Sequence, residues 1–246
     1  MIPKVVRGPS SKGYLKMTWD YPVYTPAVVE DSTGTTARAV RKALTREEAV
    51  KYIAGDDPRP LLILRECKVC NGTDEALLKG GADNEKTFLL SAWFHCVKLP
   101  VDVMEADHPF HNMFQQEQPE HLFVCSIDGS NHNPLESQTS RTQLWKSMHG
   151  LLDAEYTKGP KSSLKKITGL LGKLDEQDAR LDILLSRQEQ ILEEDGPESR
   201  KLKKLNGKIA KEEAALSKLN EAVQTAYRLQ LKRQADAKQA ASEESR

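Results

Sequence analysis

Apolar residues follow two patterns along this chain. Up to Tyr156 they gather in short dense runs broken by turn residues, and beyond Gly159-Pro160 they recur every three or four positions among charges. The first pattern predicts strands alternating with helices, the second long amphipathic helices. Pro60-Leu61-Leu62-Ile63-Leu64 is a continuous apolar run between turn signals, as expected of a strand buried on both faces. Runs from Thr87 to Leu99 and from His121 to Ile127 predict two further strands. Another is placed near Val28 and Val29. A helix begins at Thr45-Arg46-Glu47-Glu48, a capping box, continues through Ala49, Val50 and Ile53, and stops at Gly55-Asp56-Asp57-Pro58. Helices are also predicted over Asp74–Lys79, Pro109–Gln115 and Arg141–Tyr156; the last carries Leu144, Trp145, Met148, Leu151 and Leu152 on one side. Ser130 to Ser140 reads as polar loop. Alternation of this kind implies an α/β domain built on one mixed sheet flanked by helices.

In the second region a heptad frame runs through Leu164, Ile167, Leu171, Leu174, Asp178, Leu181, Leu185, Gln188 and Leu192, all apolar but Asp178 and Gln188. Asp195-Gly196-Pro197-Glu198-Ser199 breaks it. A second frame follows at Leu202, Leu205, Ile209, Glu212, Leu216, Leu219, Val223, Ala226 and Gln230, all apolar but Glu212 and Gln230. Two such helices around one tight turn predict a long antiparallel α-helical coiled-coil hairpin. A two-helix seam leaves apolar surface open, so pairing with a second copy or a protein partner is expected. The alternative is a self-contained hairpin.

The predicted organisation is a partly ordered arm over 1–35, an α/β domain over 36–158, the hairpin over 160–234 and a flexible polar tail over 235–246. The arm holds an aromatic stretch, Tyr14 to Tyr24, expected to pack on a neighbouring domain. Lys+Arg and Asp+Glu both number 36 among 246 residues, which gives no bulk attraction to nucleic acid or membrane. Met1-Ile2-Pro3-Lys4 opens no apolar leader, and no apolar run has membrane-spanning length, so the expected setting is cytoplasmic.

Four cysteines are too sparse for a disulfide scaffold, so they read as redox, metal-binding or buried residues. Cys67-Lys68-Val69-Cys70 directly follows the first buried strand. Two intervening residues let both sulfurs meet at the first turn of a helix, whose N-terminus favours a thiolate. Lys68 would support that thiolate and Glu66 oppose it. A redox dithiol, a metal site and an inactive structural pair all fit the spacing. A metal would need ligands from His95, Cys96, His108, His111 or Cys125, whose spacing is not that of a zinc site. No metal or other cofactor is therefore expected. Cys96 and Cys125 read as packed core thiols. Gly80-Gly81 and Gly169-x-x-Gly172 match no phosphate-binding loop. Asp102, Glu105 and Asp107 read as loop solvation.

Over roughly residues 40 to 156 the chain resembles the thioredoxin family. The likeness rests on Pro60 to Glu66 followed by Cys67-Lys68-Val69-Cys70, on Gln118-Pro119-Glu120 ahead of the strand His121-Leu122-Phe123-Val124, and on Ser140-Arg141-Thr142-Gln143-Leu144 at the start of the last helix. The resemblance implies a thioredoxin-like fold. It makes Cys67 the exposed nucleophile, Cys70 the resolving thiol and Pro119 a cis residue facing them in a substrate-binding position. It thereby implies thiol–disulfide exchange with a disulfide-bearing protein, without a cofactor. The sequence departs from the family at Glu66 (usually Trp), at Val69 (often Pro) and at Leu61, where an acid commonly lies beneath the dithiol. Those departures point to the alternative, a non-enzymatic adaptor whose main interface is the coiled coil.

Overall fold

A computed structural model describes residues 6–25, 42–67, 77, 84–136 and 138–244. The chain divides into two compact units, one formed by Met17–Gly159 with Leu231–Arg246, the other by Met1–Lys16 with Pro160–Gln230. Among the described residues, no helix is long and apolar enough to cross a membrane.

The first unit is α/β. Its strands are β1 (Trp19–Asp20), β2 (Leu61–Arg65), β3 (His95–Leu99), β4 (Leu122–Cys125) and β5 (Asn133–Leu135), in the sheet order β1-β3-β2-β4-β5. β1, β3 and β2 are parallel, whereas β4 runs antiparallel to β2, and β5 to β4. β2 is central and buried along its whole length, which is why it reads as a continuous apolar run. Side chains alternate across it. Leu61 and Ile63 join a core with Ala49, Val50, Ile53, Val97, Phe110, Phe114 and Phe123. Leu62 and Leu64 are also buried, on the opposite face.

The numbering of helices begins outside this unit, with α1 (Pro9–Lys12). Within it, α2 (Arg46–Ala54) starts from the expected capping box between Thr45 and Glu48. It ends at Gly55, whose φ of 52° with ψ of −134° is a combination that residues with a Cβ rarely adopt. α4 (Arg141–Glu155) starts from a second box between Ser140 and Gln143 and buries Leu144, Met148, Leu151 and Leu152.

Several expectations are corrected. Thr87–Leu99 is not one strand: α3 (Glu85–Ser91) precedes a turn in which Trp93 N donates to Leu90 O, and only then does β3 begin. A dense apolar run does not distinguish a buried helix from a strand, and no Gly or Pro marks this break. Pro109–Gln115 contains only a 3-10 turn, His111–Met113. The polar loop Ser130–Ser140 contains β5, an exposed edge strand that accommodates Pro134 because no further strand needs its N–H. Of the predicted tail, the described residues up to Glu244 are helical. α7 (Lys232–Glu244) is rich in Ala, Lys, Gln and Glu, and Lys232 Nζ donates to Asp153 O at 3.0 Å. The strand near Val28 and Val29 lies outside the described residues. So does the helix over Asp74–Lys79, except Leu77, which is helical and buried.

The second unit is helical. α5 (Lys161–Asp195) and α6 (Arg200–Tyr227) pack against each other across a turn at Gly196–Ser199. Ile167, Leu171, Leu174 and Ile191 from α5 are buried, as are Leu202, Leu205, Ile209, Val223 and Ala226 from α6. The α6 frame is largely the expected one. The α5 frame shifts midway, because Gln177 rather than Asp178 is buried, and its Nε2 donates to Glu212 O at 3.1 Å. Toward the turn Leu181 and Leu184 pack beside Ile191, which leaves Leu185 36% and Leu192 48% exposed.

Asp178 leaves the seam because the arm claims it. Ser10 donates to Asp178 from its backbone at 2.9 Å and from its hydroxyl at 2.6 Å. Arg7 pairs with Asp175 at 2.6 Å, and Ser11 donates to Leu171 O at 2.9 Å. Gly8 approaches so closely that a Cβ there would come within 2.5 Å of the Asp178 carboxylate. Tyr14 stacks on Tyr227 and donates to Asn220 at 2.8 Å.

Candidate functional site

The cysteine motif begins where β2 ends. Glu66 extends the ladder by donating its N–H to Leu99 O at 2.8 Å, and Cys67 follows, half-buried and disulfide-bonded. Cys70 lies outside the described residues, as does Lys68. Glu66 pairs with Lys98 of β3 at 2.7 Å. The opposition to a thiolate expected from Glu66 is thereby partly cancelled by a neighbouring cation.

Arg65 is 7% exposed at the end of the central strand. Its Nε donates to Glu120 O at 3.0 Å and its Nη2 to Pro119 O at 3.1 Å, and its guanidinium lies over the Phe114 ring at 5.7 Å. Its own N–H donates to His121 O at 2.8 Å. Arg65 thus ties the Pro119–Glu120 segment to the strand end that carries Cys67. Burial lowers its pKa from the ordinary arginine value. The only sequence signal was a cation closing an otherwise apolar run.

Pro119 is corrected in one respect. No peptide bond among the described residues is cis, so the bond before Pro119 is trans. Trans is the lower-energy isomer of an X–Pro bond by about 0.5–1 kcal/mol, and the carbonyls that follow are already satisfied by Arg65. The Glu120 carboxylate turns away to His132 Nε2 at 2.6 Å, and His132 Nδ1 meets Arg46 Nη2 at 3.0 Å. Arginine only donates, so Nδ1 accepts and Nε2 carries the proton given to Glu120. The His132 ring rests against Phe123, with centroids 4.6 Å apart.

The other cysteines belong to the interior. Cys96 and Cys125 are free, buried thiols, and burial pushes each up to about 12. Leu61, beneath the motif in the strand, is fully buried among apolar neighbours. Among the described residues, no three His, Cys, Asp or Glu side chains are grouped to hold a metal ion. An open groove of about 810 Å³ between β5 and α4 is lined by His132, Pro134, Gln143, Lys146 and Ser147 among others, and Cys67 does not border it.

Compared with known proteins, the chain matches no protein-family model, no curated protein and no solved structure.

Proposed function

We propose that this chain is a thioredoxin-like thiol–disulfide exchange protein working in the cytoplasm, with a coiled-coil hairpin that recruits its partner or a second copy. The observation that carries the reading is the position of Cys67, disulfide-bonded at the carboxyl end of the central parallel strand. In open α/β sheets that end is where ligands bind. The succession of α2, β2, the cysteines, α3, β3, β4, β5 and α4 supports the thioredoxin resemblance.

In this reading the Cys67 thiolate attacks a sulfur of a protein disulfide. A mixed disulfide forms and one partner sulfur leaves as a thiolate. The Cys70 thiolate then attacks Cys67, releasing the second partner sulfur and closing a Cys67–Cys70 disulfide. Two electrons pass from the dithiol to the partner, and an external dithiol, or two thiols, restores the pair and is itself oxidised to a disulfide. By the family resemblance, Pro119, on the segment held by Arg65, would take the substrate-binding position.

The adaptor reading is favoured by two observations. Leu61 stands where a buried acid would assist proton transfer, and Ile183, Leu185 and Leu192 are exposed on α5. Thiol alkylation with mass spectrometry across a glutathione series separates the two. An exchange protein cycles between about −180 and −270 mV, the span of thiol oxidoreductases. Its Cys70→Ser variant accumulates a mixed disulfide at Cys67, and Cys67→Ser accumulates none. A pair that does not cycle in this window leaves the adaptor.

A further inference from the structure

We propose that Arg65 is a positioning residue of the exchange site, its buried guanidinium serving as the counter-charge that holds Cys67 as a thiolate; this rests on the reading of Cys67 as the nucleophile. A buried cation is costly unless something uses its charge. The Arg65 side chain donates to two backbone carbonyls, Pro119 O and Glu120 O, which satisfy hydrogens without supplying a negative charge. Of the neighbouring carboxylates, Glu66 pairs with Lys98 on β3, and Glu120 accepts a hydrogen bond from His132. No ion pair joins a described carboxylate to Arg65, and burial lowers its proton affinity. Among the described residues, the positive charge at the end of β2 therefore meets carbonyls and the Phe114 ring but no paired carboxylate.

Strand alternation puts position 67 on the same side as that charge. Alternation puts Leu61, Ile63 and Arg65 on one side of the strand, the side of Phe114 and Phe123. Glu66 keeps the chain extended by its bond to Leu99 O, so position 67 falls on the side of position 65. Cations beside a cysteine lower its proton affinity, and in a low-dielectric setting the effect is larger and less screened by salt. The described charged and titratable groups around the strand end are Arg65 on β2, Glu66 and Lys98 as a pair, and Glu120 and His121 in the segment ahead of β4.

The test uses the full-length, fully reduced protein. The rate of iodoacetamide alkylation at Cys67 is followed by peptide mass spectrometry from about pH 5 to pH 10, with unlabelled Cys96 and Cys125 reporting an intact fold. Wild-type Cys67 is expected to titrate at least about one unit below the ordinary thiol value near 8.5. Arg65→Gln is expected to raise the midpoint by about one unit or more, and Arg65→Lys to keep most of the lowering. In the wild type the midpoint should hold between low and high salt, a measurement that requires no variant. The proposal is overturned if Arg65→Gln leaves the midpoint in place, or if salt moves the wild-type midpoint toward 8.5, as control by exposed lysines would require. Either result leaves exchange at Cys67 standing. A wild-type Cys67 that titrates like an ordinary thiol also overturns it, and the glutathione series then decides separately whether the pair exchanges.

Discussion

Burial sorts the cysteines by reactivity before any partner is considered. Cys96 and Cys125 are pushed up to about 12 chiefly by desolvation, whereas Cys67 is half-buried at a strand end. Alkylation depends on the thiolate fraction. In the folded, reduced protein at pH 8, iodoacetamide should modify Cys67 while sparing Cys96 and Cys125, and denaturant should bring both up to the rate of a free thiol. Peptide mapping checks this, and rapid native labelling of Cys96 would contradict the core assignment. At this scale the sequence was informative where chemistry is local: a dithiol spacing directly after an apolar run. Arg65 was not legible, because the carbonyls that hold it lie 55 and 54 residues away in the chain. The trans bond at Pro119 was not legible either, since the isomer depends on contacts the sequence does not display.

Elements whose signals are local agree with the sequence. The Thr45–Glu48 and Ser140–Gln143 boxes close within three residues, and each starts the helix expected of it. Elements defined by distant partners do not. β5 is a strand only because β4 pairs with it, with Leu122 opposite Leu135. α5 shows both cases within one helix. Ile167, Leu171 and Leu174 fill the expected seam, while the arm draws Asp178 aside and Leu185 and Leu192 turn outward. The two kinds of leucine should respond differently to truncation. Leu171 is fully buried, and Leu171→Ala should cost about 2–5 kcal/mol of stability. Leu185→Ala and Leu192→Ala should change stability by no more than about 0.5 kcal/mol. If this face recruits a partner or a second copy, Leu185→Asp with Leu192→Asp should abolish association at unchanged stability. Denaturant titration alongside sedimentation reads both quantities. An equal stability loss at Leu171 and Leu185 would mean that the seam is the unbroken heptad after all.

Across the whole molecule the chain is interleaved. Residues up to Lys16 belong with Pro160–Gln230, and the segment from Leu231 returns to the unit built on Met17–Gly159. The groups that join the arm to α5 are single polar side chains with no periodic signature. Asp175 is the most exacting of them. Burial alone would raise its pKa, but donors from Ser11, Gly8 and Arg7, together with the Arg7 charge, outweigh burial and hold it below the ordinary aspartate value. A carboxylate lowered in the folded state contributes stability that is complete above its unfolded pKa, about 3.9, and is lost as pH falls through the folded value. The arm should therefore stay docked from neutral pH down to about 4 and loosen progressively below it. Hydrogen exchange at residues 8–14 measures this directly, and the Gly8 amide, bonded to Asp175 Oδ1 at 2.8 Å, should lose protection early. Asp175→Asn keeps an acceptor but removes the titrating charge, so its arm should be weaker at neutral pH and less sensitive to acid. If residues 8–14 in the wild type are as protected, relative to an unfolded chain, at pH 3 as at pH 6, Asp175 does not control the arm, and the Ser10–Asp178 bonds with the Tyr14–Tyr227 stack hold it instead.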